Sequence, residues 1–252
     1  MNDRAERPLL PGVTLVAVTS VALQATVRAL HESMSKAQFG QVLLLSDQSP
    51  PANAAPSIRW QRINPLQSRA DYSRFMLCEL AEYIDTDHAL CVQWDGFVLN
   101  GAAWNPRFLE FDYIGAVWPH FDDAHNVGNG GFSLRSRRLM RACRDLHFDG
   151  SVAEDVIIGR LHRENLEKQG LHIAPEKIAR LFSYERIAPT GREFGFHGAF
   201  NLVRLLPSDA VGSLFRTLEP GMLSRGERAE IMRWSIRHRQ WSLASQMAFR
   251  LL

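Results

Sequence analysis

Blocks of apolar and polar positions along the first two hundred residues predict strands and helices in turn. Three short apolar runs, at 13–18, 41–45 and 89–92, are bounded by polar turn residues and are typical of buried parallel strands. Helices are predicted between them, over 21–36 and over 68–84, where apolar residues recur at helical spacing. The first part of the chain therefore reads as strands alternating with helices.

Later segments continue this order. Strands are predicted at 58–63, 113–118 and 132–134, and helices at 136–146 and 155–169. Helices that separate apolar strands favour a sheet whose strands are mostly parallel and whose faces are covered. We therefore expect the α/β class, with a mostly parallel central sheet flanked by helices.

Three regions are expected along the chain. Residues 1–12 are polar and form a loose lead-in, and residues 13–206 form the α/β domain. The pattern from 207 to 252 is helical without strand signals, and a Pro-Gly pair divides it into helices at 208–217 and 225–251. This last region is interpreted as a small helical appendage.

The charge balance and the cysteines indicate which partners and which cellular compartment to expect. The formal net charge is only +2 and no basic block precedes the C-terminal region, so nucleic acid is not an expected partner. The three cysteines lack metal-binding spacing and favour a reducing compartment. Because there is neither a signal-like apolar core nor an 18-residue apolar run, we expect a cytoplasmic chain, with work at the inner face of a membrane left open.

The apolar run 89–92 ends in Gln93-Trp94-Asp95-Gly96, which places a carboxylate at the C-terminal end of a core strand. Ligands of open α/β sheets bind at that edge. Asp95 could hold a divalent cation, and through it a pyrophosphate, and Gln93 could add a neutral oxygen ligand or a hydrogen bond to ribose. The alternative is an Asp that only forms the turn before a glycine.

A lone histidine, His197, lies between two glycines in the segment 194–198. Should it meet Asp95 in space, the two side chains would suit one divalent cation. The alternative is a loop histidine packed under the neighbouring aromatic rings.

A glycine-rich loop covers Gly128-Asn129-Gly130-Gly131. Gly130 and Gly131 would let backbone amides approach a bound sugar or phosphate closely. A plain hairpin turn is an equally good interpretation.

Two acids, Glu154 and Asp155, open a predicted helix. One of them could act as the general base that deprotonates an acceptor hydroxyl, and Asp155 is favoured over Glu154. The alternative is that these acids only stabilise the positive end of the helix dipole.

The C-terminal helical region is rich in arginine and tryptophan. The first interpretation is an amphipathic helix docked on the domain. A peripheral membrane contact, or a homodimer contact through residues 225–252, is the functional alternative.

Common phosphate-loop, GxGxxG, GxSxG and HExxH motifs are missing from the sequence. The enzyme classes that carry these motifs are therefore not expected.

Four motifs in a fixed order carry a resemblance to a known family. They are residues 93–96, the segment 113–116 followed by 127–135, Glu154-Asp155, and 194–198. With them, residues 13–201 resemble a glycosyltransferase of the GT-A fold, a Rossmann-like sheet. More narrowly, the chain is similar to a bacterial and fungal family of unknown function that is labelled glycosyltransferase-like.

The resemblance implies specific roles. In GT-A enzymes a DxD motif binds a metal and the donor diphosphate; the triplet here is Gln93-Trp94-Asp95, which lacks the first carboxylate. Metal binding, of Mn²⁺ or Mg²⁺, would fall to Asp95, completed by His197. The residues implied in donor and nucleotide binding are Thr19, Ser20, Asp47, Gln93, Trp94, Asp95, Gly130 and Gly131.

The resemblance also implies an activity. We expect a hexosyltransferase-like enzyme that moves a sugar from a nucleotide-sugar donor to a glycan or other hydroxyl acceptor, in bacterial polysaccharide or glycoconjugate synthesis. Asp155 and Glu154 resemble the acidic pair of inverting members. The alternatives are an inactive nucleotide-sugar-binding module, a membrane- or protein-interaction module, and a nucleotidyltransferase.

Overall fold

A computed structural model describes residues 7–249. Residues 1–6 of the expected lead-in and residues 250–252 of the expected appendage lie outside the described residues. The strands are β1 (Leu9–Thr19), β2 (Gln38–Ser46), β3 (Arg59–Arg62), β4 (His88–Val92), β5 (Tyr113–Ile114), β6 (Ala116–Val117), β7 (Val127–Gly128), β8 (Phe132–Ser136), β9 (Ser183–Tyr184) and β10 (Gly195–Phe196).

Ten α-helical segments accompany these strands within residues 7–249. They are α1 (Leu23–Lys36), α2 (Arg69–Arg74), α3 (Arg137–Cys143), α4 (Glu154–Val156), α5 (Arg163–Lys168), α6 (Glu176–Phe182), α7 (Ala199–Leu205), α8 (Ser208–Arg216), α9 (Arg225–Arg237) and α10 (Trp241–Phe249). Turns of π-helix at Phe75–Glu79 and Ile157–Leu161 follow α2 and α4, so the predicted helices 68–84 and 155–169 are each interrupted.

The central sheet has six strands in the order β3-β2-β1-β4-β8-β5. The first four are parallel to one another, and β8 runs antiparallel to both of its neighbours. Leu15 and Val16, which point to opposite faces of β1, are both at most 1% exposed because helices cover both faces. The predicted α/β class, with a mostly parallel sheet flanked by helices, is confirmed.

Two strand boundaries differ from the sequence prediction. β1 begins at Leu9 rather than at residue 13, because Leu9 and Leu10 pair with β2 ahead of a bulge. The predicted strand 113–118 is split between two sheets at Gly115, where a Cβ would lie 1.5 Å from the carbonyl oxygen of Gly128. This close backbone approach requires glycine.

The region after residue 207 is helical, as its pattern predicts, but the expected helix 225–251 is two helices. Arg239 adopts a left-handed conformation with φ of 58°, and the N–H of Gln240 bonds back to the carbonyl of Ser235, which ends α9 in a Schellman turn. Phe215 of α8 and Ile231 of α9 share an apolar cluster with residues of the sheet domain. The helical region therefore packs against the sheet domain through a shared apolar cluster.

Among residues 7–249, no helix combines the length and apolar character that crossing a bilayer requires. Trp241, at the start of α10, is 63% exposed. A membrane or homodimer contact through this region stays a prediction.

Candidate functional site

A cleft of about 620 Å³ lies where β1 and β4 end. The carboxyl ends of parallel strands meet there, which is the edge at which open α/β sheets bind ligands. The structure brings ten of the residues singled out in the sequence to its lining: Thr19, Ser20, Gln93, Trp94, Asp95, Gly130, Gly131, Glu154, Asp155 and His197. Asp47, at the end of β2, is not among the lining residues.

Asp95 and His197 meet in this cleft although 102 positions separate them in the sequence. Asp95 Oδ1 lies 3.3 Å from His197 Nε2, and this buried oxygen has no hydrogen-bond partner among the described residues. The Gly198 N–H donates to the carbonyl of Asp95 over 3.0 Å, which ties the two segments together. The pair expected from the sequence is thus assembled by the fold.

Gln93 adds a third polar atom to this pair. Its Oε1 lies 3.3 Å from His197 Nε2, while its Nε2 donates to the Tyr72 hydroxyl over 2.9 Å. An amide has one acceptor and one donor side, so the bond to Tyr72 turns the oxygen toward the histidine. Tyr72 therefore orients Gln93.

These three atoms form a donor set that fits a divalent cation. A carboxylate oxygen, an amide oxygen and an imidazole nitrogen are ligands that Mn²⁺ or Mg²⁺ accepts, with phosphate oxygens in the remaining positions. Over residues 7–249 no group of three or more His, Cys, Asp or Glu side chains is arranged so that it could hold a metal ion. The donor set of Asp95, Gln93 and His197 thus carries a single carboxylate.

Sequence reasoning missed Glu185, which contacts the other face of His197. Glu185 Oε1 lies 3.4 Å from His197 Nδ1. Burial alone would lower the pKa of His197, but the charges of Asp95 and Glu185 raise this pKa well above its ordinary value. Burial alone would raise the pKa of Glu185, and the contact with His197 holds it below its ordinary value. Only the pairing of β9 with β10 brings Glu185 to this position, and no local motif marks it.

The two glycines of the GNGG loop make room for the side chains of the site. A Cβ on Gly131 would lie 2.1 Å from His197 Nε2, and a Cβ on Gly130 would lie 2.0 Å from Glu154 Oε1. Neither position tolerates a side chain without displacing its neighbour. The glycines are thus required by packing in the cleft wall, whatever their contact with a donor.

Glu154 is held by Arg135 beneath the cleft. The Arg135 guanidinium donates to Glu154 Oε1 over 2.9 Å, with side-chain exposures of 1% and 5%. Glu154 Oε2 accepts a hydrogen bond of 3.3 Å from the Ser73 hydroxyl. Both oxygens of Glu154 are therefore engaged, and sequence reasoning missed Arg135 because it reads as an ordinary surface cation of a short strand.

Asp155 has a different environment. Its Oδ2 accepts from the backbone N–H of Gly130 over 3.1 Å, and its Oδ1 accepts from that of Val156 over 2.9 Å. Burial and the neighbouring charge of Glu154 raise the pKa of Asp155 to about 6, against the opposing effect of these N–H donors. A carboxylate with this pKa accepts a proton readily near neutral pH.

The remaining wall of the cleft comes from the end of β1 and from the helical region. Ser20 Oγ accepts from the Leu66 N–H over 2.8 Å, and Thr19 Oγ1 accepts from the Val21 N–H over 3.1 Å. Opposite them, Glu219 of the segment between α8 and α9 lines the same cleft. No pattern in the sequence had placed the C-terminal region at the site.

A family model for proteins of unknown function, DUF5672, matches residues 57–197. This span is more than half of the chain and ends on His197. The chain belongs to the DUF5672 family. The part of this DUF5672 protein that the model matches includes the GNGG loop, both acids of α4 and Glu185, and it leaves out Thr19, Ser20, Asp47 and the helical region.

Two solved structures of a galactosyltransferase, LgtC, are similar to the DUF5672 chain. LgtC in complex with donor and acceptor sugar analogues is 11% identical, with a TM-score of 0.44 over 86% of this chain and 99% of the other. An active-site mutant of LgtC is 13% identical, with a TM-score of 0.47 over the same shares. No curated protein matches the sequence.

Proposed function

We propose that the protein is a glycosyltransferase that moves a sugar from a nucleotide-sugar donor to an acceptor hydroxyl, with a divalent cation assisting. One observation supports this most: the Asp95–His197–Gln93 donor set and the Asp155 carboxylate line the same cleft at the ligand-binding edge of the sheet. The first group suits a cation shared with a diphosphate, and the second suits proton transfer from a hydroxyl.

Asp95, His197 and Gln93 would hold the cation, Mn²⁺ or Mg²⁺. When bound there, the cation supplies positive charge to the leaving diphosphate. Trp94 lies next to this donor set, while Thr19 and Ser20 line the cleft at the end of β1, where the proposal places the nucleoside.

Asp155 is the proposed general base. The acceptor hydroxyl gives its proton to the Asp155 carboxylate as its oxygen bonds to the anomeric carbon, and the bond from that carbon to the diphosphate oxygen breaks with its electron pair on the leaving group. A single displacement of this kind inverts the anomeric centre, so the proposal favours inversion. Glu154, held by Arg135, lies beside Asp155, and its charge helps to raise the pKa of Asp155.

The proposal is tested first by a thermal-shift screen of nucleoside diphosphates and their sugars, with and without Mn²⁺. Binding to the folded state raises the unfolding temperature by mass action, so even a weak donor registers at high concentration. We expect one nucleotide-sugar to stabilise the chain more in the presence of Mn²⁺. Turnover of that donor to nucleoside diphosphate and a sugar product would then support transfer.

Two other outcomes would contradict the proposal in different ways. Release of pyrophosphate from a nucleoside triphosphate would indicate a nucleotidyltransferase. Donor binding without donor turnover would indicate a binding module that lacks catalysis. This second function is favoured by one observation, that an amide stands at position 93 where a second carboxylate would strengthen metal binding.

A further inference from the structure

We propose that Glu185 is a positioning residue for the cation site: it fixes the ring of His197 so that Nε2 faces Asp95. This inference rests on the cation site of the proposed function and not on its transfer step. It does not depend on which sugar is transferred or whether transfer occurs.

One carboxylate oxygen of Glu185 is hydrogen-bonded, and the other faces His197 Nδ1, which has no hydrogen-bond partner among the described residues. Oε1 lies 3.4 Å from His197 Nδ1, and Oε2 accepts from the Asn129 side-chain amide over 2.9 Å. The Glu185 side chain is 19% exposed and the His197 side chain 17% exposed, so water competes little for these contacts. The carboxylate is therefore held in one orientation, with one oxygen directed at the ring.

The backbone around the two residues is held as well. The His197 N–H donates to the carbonyl of Tyr184 over 3.0 Å, which aligns β10 with β9. The Asn201 side-chain amide donates to the carbonyls of both Glu185 and His197, over 3.0 and 2.8 Å. One amide group thus joins the two residues at the backbone, and the side chains extend from a shared frame.

Asn129 connects this frame to the opposite wall. It adopts a left-handed conformation with φ of 75°, and its Oδ1 accepts from the N–H groups of Gly131 and Phe132. Its Nδ2 donates to Glu185 Oε2. The GNGG loop, which makes the slot for the His197 ring, is thereby bonded to the carboxylate that orients that ring.

A histidine that binds a metal through one ring nitrogen needs a partner on the other nitrogen to fix its orientation and raise its basicity. Glu185 is placed to do this for His197, with Nδ1 facing the carboxylate and Nε2 facing Asp95. Loss of such a partner weakens metal affinity by about 10- to 100-fold in known sites.

The test is isothermal titration of Mn²⁺ into the full chain and its variants, without donor or acceptor. We expect Glu185→Ala to weaken the Kd for Mn²⁺ by about tenfold or more. Glu185→Asp keeps the charge but is one methylene too short to reach Nδ1, so a loss of about the same size is expected. Glu185→Gln keeps an acceptor oxygen at the original reach of Nδ1 but turns its NH2 group toward the Asn129 amide donor, so we expect an affinity between those of the wild type and Glu185→Ala.

A matched control separates orientation from charge. Glu230→Gln removes one negative charge that pairs with Arg186, the neighbour of Glu185 in the chain, without touching His197, and we expect its Kd for Mn²⁺ to change by less than about threefold. Thermal unfolding without Mn²⁺ shows whether each variant is folded. Should Glu185→Ala fail to fold, Glu185→Asp decides the question.

Three results would overturn the inference. They are wild-type Mn²⁺ affinity in Glu185→Asp, equal losses of affinity in Glu185→Asp and Glu230→Gln, or no Mn²⁺ binding by the wild type at millimolar concentration. Failure of the proposed function looks different. A chain that binds Mn²⁺ in the expected order of variants but turns over no donor would leave the role of Glu185 supported and the transferase proposal rejected.

Discussion

The carboxylate of Glu219 accepts a hydrogen bond of 2.8 Å from the backbone N–H of Ala22, across 197 positions of the chain. Ala22 is the N-cap of α1, adopts a left-handed conformation with φ of 50°, and has no side chain able to cap the helix. A residue of the helical region therefore supplies the anion at the positive end of a sheet-domain helix, within the proposed donor cleft.

Glu219→Ala should lower the free energy of unfolding by about 1 kcal/mol, the usual cost of losing a helix-terminal capping contact. Urea denaturation measures this change. Glu164→Ala, at an exposed position of α5, is the control and should change stability by less than about 0.5 kcal/mol. Equal effects of the two variants would mean that the contact with Ala22 contributes nothing.

Breaking the buried pair of Arg135 and Glu154 should lower the free energy of unfolding more than Glu219→Ala does. Glu154→Ala would leave the Arg135 charge buried without its partner, and we expect a loss of about 3–5 kcal/mol in the free energy of unfolding. The double variant Arg135→Met with Glu154→Leu removes both charges and should recover much of this loss. Denaturation of the two single variants and the double variant tests this, and additive losses would contradict it.

Asp155→Asn should reduce transfer turnover by about 10²-fold or more, because the amide cannot accept the acceptor proton. Asp209→Asn, which changes an acid in the first turn of another helix, is the control for turnover. Wild-type turnover should rise with pH through about 6, the pKa to which burial raises this carboxyl. Unchanged turnover in Asp155→Asn would remove its assignment as the base.

The same pKa gives a prediction for stability. Since the folded pKa of Asp155 lies above its ordinary value of 3.8, the folded chain binds this proton more tightly than the unfolded chain. The stabilisation from Asp155 is thus complete below pH 3.8 and is lost as the pH rises through about 6. Asp155→Asn should therefore lose less stability than the wild type over this pH window, as measured by denaturation at each pH.

Gly131→Ala should displace His197, because the new Cβ would lie 2.1 Å from Nε2. We expect a lower unfolding temperature and at least about tenfold weaker Mn²⁺ binding, since one proposed ligand is displaced. In Gly226→Ala, by contrast, the nearest atom to the new Cβ is 3.9 Å away, and alanine favours the helix, so stability should hold or rise. Wild-type Mn²⁺ affinity in Gly131→Ala would argue against His197 as a ligand.

The sequence by itself determined the α/β class and the side chains at the strand ends. Short uninterrupted apolar runs bounded by turn residues are typical of strands covered on both faces, so the cores of β1, β2 and β4 followed from local pattern. Asp95 could be placed at a ligand edge for the same reason, because the end of an apolar run marks the end of a strand. Short segments such as 113–118 were beyond this reasoning, since a backbone contact with Gly128 splits them.

Only the tertiary structure decided which distant residues meet. Glu185 reaches His197 through the pairing of β9 with β10, Arg135 reaches Glu154 beneath the cleft, and Glu219 reaches α1 from the helical region. None of these contacts leaves a local signal, because hydrophobic periodicity reports burial along one element and not the partner across it. The chemistry of the cleft depends on such cross-chain contacts, whereas the fold class depends on patterns within single elements.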